Sequence, residues 1–404
     1  MNSKQVSALW MSLLLALSYV LVMIDRRIFG AVLSSLRQEL GLSATAAALA
    51  ADASLLGIAA TSIGAGYLAR GINRKAVAVA GLLLTSAATV GVACAEGFTS
   101  VFLARLMLGV GISLLVTSAF TMAINYFVRQ SSATVATLFF VTGLGATLGM
   151  SLGEILEGVL GWRSVLVMLG FMGLPLTVLI VVFVKPWFSQ SRVISLTYDV
   201  HTQRVLVNSI WSRVPALLGF IVFWVGLTVY SFRNLYIPHI LEADGFTWTT
   251  GQIANSLYAF GNLFAFYGAF LFRRFGARSV LVATLPLAGA LSLVMCFEIS
   301  HGAALYILFA SVMGISLGGI AAVALLSEML KSVVSKEVGP TIGLYFACFY
   351  GAGTLSVPLS RTLQDAIGWS FACMVLIAGS LLVAGGLAIF LPKSGEPRNG
   401  RHRS

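Results

Sequence analysis

Apolar residues run along this chain in long stretches separated by short polar intervals, and the spacing predicts helices at 8–36, 44–69, 75–95, 98–128, 132–160, 163–185, 213–242, 248–272, 277–298, 302–331, 336–366 and 368–391. A helix rises 1.5 Å per residue, so about 20 apolar residues cross a hydrocarbon layer of ~30 Å. Each stretch is long enough for that. Ser43 and Thr247 follow polar hairpins where a helix N-cap is needed, and Pro186, Pro215, Pro392 and Pro397 fall at predicted helix ends, where a missing N–H costs least. The connections are short except 186–212. The pattern predicts an all-α membrane protein with twelve spans.

The second half of the chain repeats the first. Gly41-Leu-Ser and Gly245-Phe-Thr precede predicted spans two and eight, and Gly57 matches Gly261, both at an offset of 204. Gly111-Ile-Ser-Leu114 returns as Gly314-Ile-Ser-Leu317 at offset 203, while Thr147-Leu148 and Gly161-Trp162 return as Thr354-Leu355 and Gly368-Trp369 at offset 207. Ordered matches with so little drift imply duplication of a six-helix unit. The expected division is 1–185 for one bundle, 186–212 for a cytoplasmic linker, 213–392 for the other bundle and 393–404 for a basic tail. Duplicated membrane bundles commonly hold a substrate site near mid-membrane between their halves. Gly145, Gly149 and Gly153 form a ridge of small residues, which predicts either a tight helix contact or a gating hinge.

Composition agrees with lipid as the solvent. Of 404 residues 58% are apolar and 10% charged, a balance from which no water-facing surface can be built. A net charge of +11 would suggest nucleic acid in a soluble chain; here its distribution gives a better account. Arg70, Arg74, Lys75, Arg129, Lys185, Arg273, Arg274, Arg278, Lys331 and Lys336 fall on one side, with Lys4, Lys393, Arg398, Arg401 and Arg403 of the termini. The opposite side has only Arg37, Arg163 and Arg361, alongside Glu39, Glu96, Glu154, Glu157, Glu242 and Asp244. Cytoplasmic loops carry the excess of Lys and Arg, so both termini are expected in the cytoplasm and the first helix is expected to be retained. The expected location is a prokaryotic inner membrane. Cys94, Cys296, Cys348 and Cys373 lie singly, without disulfide or metal spacing, and neither they nor the four histidines suggest a metal.

Several motifs resemble the major facilitator superfamily, and the likeness covers essentially the whole chain. Gly66-Tyr-Leu-Ala-Arg70-Gly-Ile-Asn73-Arg74-Lys75 looks like that family's loop signature between helices two and three. Arg105-xxx-Gly109-x-Gly111 in helix four and Gly-Trp-Arg163 opening helix six are similar to two more of its features. The resemblance implies two pseudo-symmetric six-helix bundles around a central cavity. Arg70 and Arg273 stand where the family's gating loops normally carry an acid, which implies a different lock; Glu328 or Glu337 pairing with Arg70 or Arg273 is a candidate, and Arg74 belongs to the same loop. Ile-Asp25-Arg26-Arg27 looks like the branch with an Asp-Arg pair in helix one, which includes importers of sugar acids, organic anions and organophosphates. Gly66-Tyr-Leu and Asn73-Arg-Lys also resemble Spinster-type lipid transporters.

Charges in mid-membrane cost a few kcal/mol or more, so ionisable residues there are candidates for function. Asp25 and Arg26 lie about 17 residues into span one, roughly 25 Å from its start, and Arg27 points about 100° away. Arg233 sits at similar depth in span seven, the repeat partner of span one. One reading makes Arg26 or Arg27, together with Arg233, a clamp for one anionic group, since guanidinium holds carboxylate or phosphate through two parallel hydrogen bonds. The other has Asp25 neutralising an arginine and Arg233 turning outward. Asp25 is either a proton-coupling carboxylate or half of a structural ion pair, and Arg105 either assists coupling or caps a helix. Glu154 and Arg361, related by the 207 offset, form an outer gate or two solvated helix ends. Tyr19, Tyr230, Asn234, Tyr236 and Asn255 are candidates to orient substrate.

These readings give a secondary active transporter that moves a small organic anion by alternating access, coupled to protons, with drug or lipid-like efflux as the alternative and a non-transporting sensor or scaffold as a reading of another class. The expected partners are an anionic solute, protons and lipid, with no nucleic acid and no cofactor. The chain has no Gly-rich Lys-Ser/Thr nucleotide loop, which argues against ATP-driven export, and no nucleophile, base and acid grouping, which argues against an enzyme.

Overall fold

A computed structural model describes residues 3–71, 73–190, 198–199, 204–205, 209–236, 256–296 and 303–392. Its first six long helices are α1 (Ser3–Glu39), α2 (Ala44–Gly71), α3 (Arg74–Ala93), α4 (Phe98–Tyr126), α5 (Ser131–Leu160) and α6 (Trp162–Phe183). The second set comprises α7 (Arg213–Tyr236), the segment Ser256–Cys296, α10 (Ala304–Lys331), α11 (Ser335–Ile367) and α12 (Trp369–Ala388). Ser256–Cys296 is two helices, since Gly276 breaks it with φ 76° and ψ 163°. Its halves, 256–275 and 277–296, are α8 and α9. Only glycine adopts that backbone without strain. Among the described residues the chain therefore makes twelve crossings in two sets of six, an all-α membrane fold. Leu13, Phe171, Val182, Leu287, Phe371 and Phe390 are exposed on the outside of the bundle, where lipid rather than water suits them.

The duplication read from the sequence is visible in the backbone. Gly161 (φ 76°, ψ 154°) and Gly368 (φ 81°, ψ 166°) make the same turn before α6 and α12. Gly57 packs on the backbone of α4 at Leu106, and its counterpart Gly261 packs on α10 at Gly314. Ser43 caps α2, its Oγ accepting from Ala46 N at 3.1 Å; Thr247 lies outside the described residues. The 186–212 connection begins with a short helix, Pro186–Ser189, and contains a small antiparallel pair, β1 (Tyr198–Asp199) and β2 (Arg204–Val205).

The two sets meet closely at the end where α1 begins. Gly66 of α2 packs on Gly339 and Pro340 of α11, and Gly343 packs on Ser62, too tightly for any side chain at either glycine. Three helices of the second set widen into π turns: Phe232–Tyr236 in α7, Gly314–Ala321 in α10 and Met374–Gly379 in α12. No such turn occurs in α1–α6. π turns gather at functional sites, and the first of these carries Arg233.

Candidate functional site

A cavity of about 90 Å³ lies between the two sets, lined by residues of α1, α5, α7, α8, α10 and α11. Arg26, Arg27 and Arg233 all reach it. Arg26 Nη1 donates to Tyr350 Oη at 3.0 Å and Nη2 donates to Tyr230 Oη at 2.9 Å, with its guanidinium carbon 4.8 Å from the Tyr350 ring centre. Tyr230 lies 204 positions after Arg26, so the bond joins two positions related by the repeat. Arg27 is placed by the glycine ridge of α5: a Cβ on Gly149 would meet Arg27 Cβ at 2.7 Å, and Gly145 and Gly153 press equally close on Met23 and Ala31. The ridge is a tight helix contact. Arg27 and Arg233 have no hydrogen bond or ion pair among the described residues, and each feels the other's charge. Three guanidiniums thus share one cavity, Arg26 and Arg27 half-buried and Arg233 exposed, and among the described residues their hydrogen-bond partners are neutral phenols.

Asp25 faces away from this cluster. It is buried, its Oδ2 accepts from Thr89 Oγ1 at 2.7 Å, and its Oδ1 has no partner. The expected ion pair with Arg26 or Arg27 is not formed, because the Asp25 side chain leaves α1 toward α3 and Thr89 takes it up. Arg105 is also buried; its guanidinium carbon is 3.9 Å from the Phe29 ring centre, and Nη2 donates to Ser54 Oγ at 3.2 Å. It joins α4 to α1 and α2 rather than capping a helix.

Tyr19 lines the cavity, as Tyr230 does. Asn234 and Tyr236 do not: Asn234 Nδ2 donates to Ser356 Oγ at 3.0 Å, and Tyr236 stacks on Phe232 and Trp369. Asn255 lies outside the described residues. Of the gating candidates, Arg70 Nη1 pairs with Glu337 Oε1 at 2.8 Å, so the first set supplies the base and the second the acid. Glu328 is buried within α10, and Arg273 is exposed with no ion pair among the described residues. Arg74 Nε donates to Ala69 O at 3.0 Å and Nη1 to Ser189 O at 3.4 Å, tying the loop to the connection after α6. The Glu154 side chain lies outside the described residues, while Arg361 is exposed and forms no ion pair among them. In the Gly-Trp-Arg163 motif, Trp162 Nε1 and Arg163 Nε both donate to Glu39, at 2.5 Å and 3.0 Å.

Sequence reasoning missed Asp52, Thr89, Tyr258, Asn262 and Tyr350. Asp52 is a lone acid in the apolar α2, within electrostatic reach of Arg233 first and then Arg26; the rule that found Asp25 would have found it. Tyr345, Phe346, Phe349 and Tyr350 all line the cavity from α11, and their helical spacing was a signal.

Residues 15–327 match the family model of the Major Facilitator Superfamily, and the chain belongs to that superfamily. It is a multi-pass membrane protein of that group. Among curated proteins it is similar to the 4-hydroxybenzoate transporter PcaK of Pseudomonas putida, 21% identical over 278 residues; the match spans 61% of this chain and 61% of the relative. Among solved structures it resembles the human organic anion transporter MFSD10 (TETRAN), with a TM-score of 0.71 and 14% identity over 96% of this chain and 100% of that one. It resembles the transporter FucP in its outward conformation equally well, with a TM-score of 0.71 and 17% identity over 95% and 99% of the two chains.

Proposed function

We propose that the protein is a secondary active carrier for a small organic anion, which Arg26, Arg27 and Arg233 hold in the central cavity. The observation that carries this reading is the convergence of three guanidiniums, Arg26 and Arg27 half-buried and Arg233 exposed, on one space between the two sets of helices. Three like charges held around one space repel one another, and an anionic solute offsets that repulsion. The relatives' names, a 4-hydroxybenzoate transporter and an organic anion transporter, support the same reading. In this proposal 1–185 and 213–392 tilt against each other around the site, 186–212 connects them, and both termini face the cytoplasm of a prokaryotic inner membrane. Asp25 is the coupling group: with one carboxylate oxygen bonded to Thr89 and the other free, it has room to take up a proton.

Uptake of labelled benzoate into proteoliposomes under an imposed pH gradient tests both parts. Saturable, gradient-driven uptake that falls at least tenfold in Arg233→Ala is expected. Equal uptake by that variant would remove the clamp, and gradient-driven uptake that survives in Asp25→Asn would remove the coupling role. Movement of neutral lipophilic compounds alone would favour efflux, and binding without uptake a sensor.

A further inference from the structure

A second cavity, of about 630 Å³, opens on the outer surface of the first set at the end where α1 begins. Ser7, Trp10, Met11 and Leu14 form one wall, and their spacing puts them on one face of α1. Leu179 and Phe183, one turn apart on α6, form the other, and Lys185 and Trp187 follow where the chain leaves that helix. The backbone N–H of Lys185 donates to Met11 Sδ at 3.2 Å and joins the two walls.

The groove changes character along its length in the same sense on both walls. Leu14 lies seven positions inward from Ser7, roughly 10 Å along the helix axis, and Leu179 likewise lies inward of Lys185. The deep part is therefore lined by leucine and phenylalanine. The shallow part carries an ammonium and two indoles, with Trp10 67% and Trp187 42% exposed. Tryptophan settles at the headgroup level of a bilayer. That level puts the leucines at the depth of acyl chains and the Lys185 ammonium at the depth of phosphates.

Charge at this corner has one sign. Lys185 Nζ donates to Val182 O at 3.3 Å, which leaves two of its three N–H groups, and it forms no ion pair among the described residues. Lys4 stands one turn before Ser7 on the same face of α1, and Lys75 of α3 reaches α6, its Nζ donating to Val181 O at 2.5 Å. No Asp or Glu occurs in 1–24, 53–95 or 158–198, the stretches that supply these elements. An excess of lysine sets the orientation of a chain in the membrane wherever it lies; orientation requires no groove beside it.

We propose that this groove holds one anionic glycerophospholipid, its phosphate on Lys185 between Trp10 and Trp187 and an acyl chain along Leu14, Leu179 and Phe183. A choline headgroup would bring a further cation to a corner that has no acid to receive it. Trp187 in turn packs on Tyr126 of α4, with ring centres 5.7 Å apart. A lipid seated there bridges α1 to the first residues of the 186–212 connection and steadies the point at which that connection leaves the first set.

Native mass spectrometry of the purified full chain, supplied with equal amounts of phosphatidylglycerol and phosphatidylcholine of the same acyl chains, tests the proposal. One lysine beside an anionic headgroup is worth roughly fivefold in affinity, so the wild type is expected to retain phosphatidylglycerol by at least that factor over phosphatidylcholine. Lys185→Gln should bring the preference toward one and Lys185→Arg should keep it. Trp10→Ala combined with Trp187→Ala should lose the retained lipid, whereas Trp211→Ala combined with Arg213→Ala, at exposed positions where the second set begins, should change nothing. Equal retention of the two lipids by the wild type, a preference that Lys185→Gln leaves unchanged, or equal losses in the two double variants would mean general lipid contact only and overturn the proposal. Displacement of the lipid by inorganic phosphate would make the site a bare anion pocket and overturn the phospholipid as its occupant.

Discussion

The Arg70 and Glu337 pair is a direct charged link between the two sets of helices at the end where α1 begins, and breaking it should change how often that end opens. The arginine side chain is 38% exposed and the glutamate 3%. Solvent at Arg70 screens the attraction, which keeps the pair below the worth of a fully buried one, yet removing either partner leaves a group in poor surroundings. The expected loss is about 1–2 kcal/mol. Glu337 directly precedes the helical run Val338–Ile367, whose N-terminal dipole offsets about 0.3–1 kcal/mol for the stranded carboxylate in Arg70→Ala. With that offset subtracted, the variant keeps about 1.7 kcal/mol at most and is expected to shift the open and closed populations by up to roughly eighteen-fold. Spin labels at Gly71 and Lys336, both exposed, report the separation directly by pulsed electron resonance once the native cysteines are replaced. Arg70→Ala and Glu337→Gln should each enrich the longer distance, and the double variant should do no more than the stronger single one. Unchanged distance distributions in both single variants, or strictly additive shifts, would refute the coupling of the pair to opening.

Two further substitutions probe how the site is held. Thr89→Val keeps the shape of the side chain and deletes the donor that Asp25 has among the described residues, so thermal unfolding in detergent should show a loss of about 1–3 kcal/mol; an unchanged melting curve would mean that Thr89 is not supporting the carboxylate. Gly149→Leu forces α1 away from α5 beneath Arg27 and should lower stability by about 1–3 kcal/mol and anion affinity with it, whereas Gly158→Leu, which meets nothing within 4 Å, should do neither. Equal effects of the two leucines would count against the ridge as the support of Arg27.

Depth along the membrane was legible in the sequence because it follows from counting residues. The spans, the duplication and the shared level of Arg26 and Arg233 all came from that count. Rotation about each helix was not legible. In an α-helix positions four apart share a face, so Tyr230 and Asn234 are expected to look the same way. The π turn at Phe232–Tyr236 has a wider pitch; it carries Asn234 round to Ser356 and leaves Phe232 and Arg233, adjacent in sequence, both on the cavity. Asp25 shows the same limit: its depth was foreseen, and its turn toward Thr89 rather than Arg26 or Arg27 was not. The lock was legible only as a choice of acids, since the partner of Arg70 depends on how α2 and α11 are registered, and the close fit of Gly66 on Gly339 sets that register.

Arg26 is fastened across the divide, from α1 to Tyr230 of α7 and Tyr350 of α11. Any motion that draws those helices away from α1 must pull both phenols off the guanidinium, and in an empty cavity nothing replaces them. A bound carboxylate offers two oxygens to the same N–H groups, so the loaded protein can let the tyrosines go without leaving the cation bare. On the proposed reading the clasp would make movement of the vacant carrier slower than movement of the occupied one, so that return of the empty site would set the pace of net uptake.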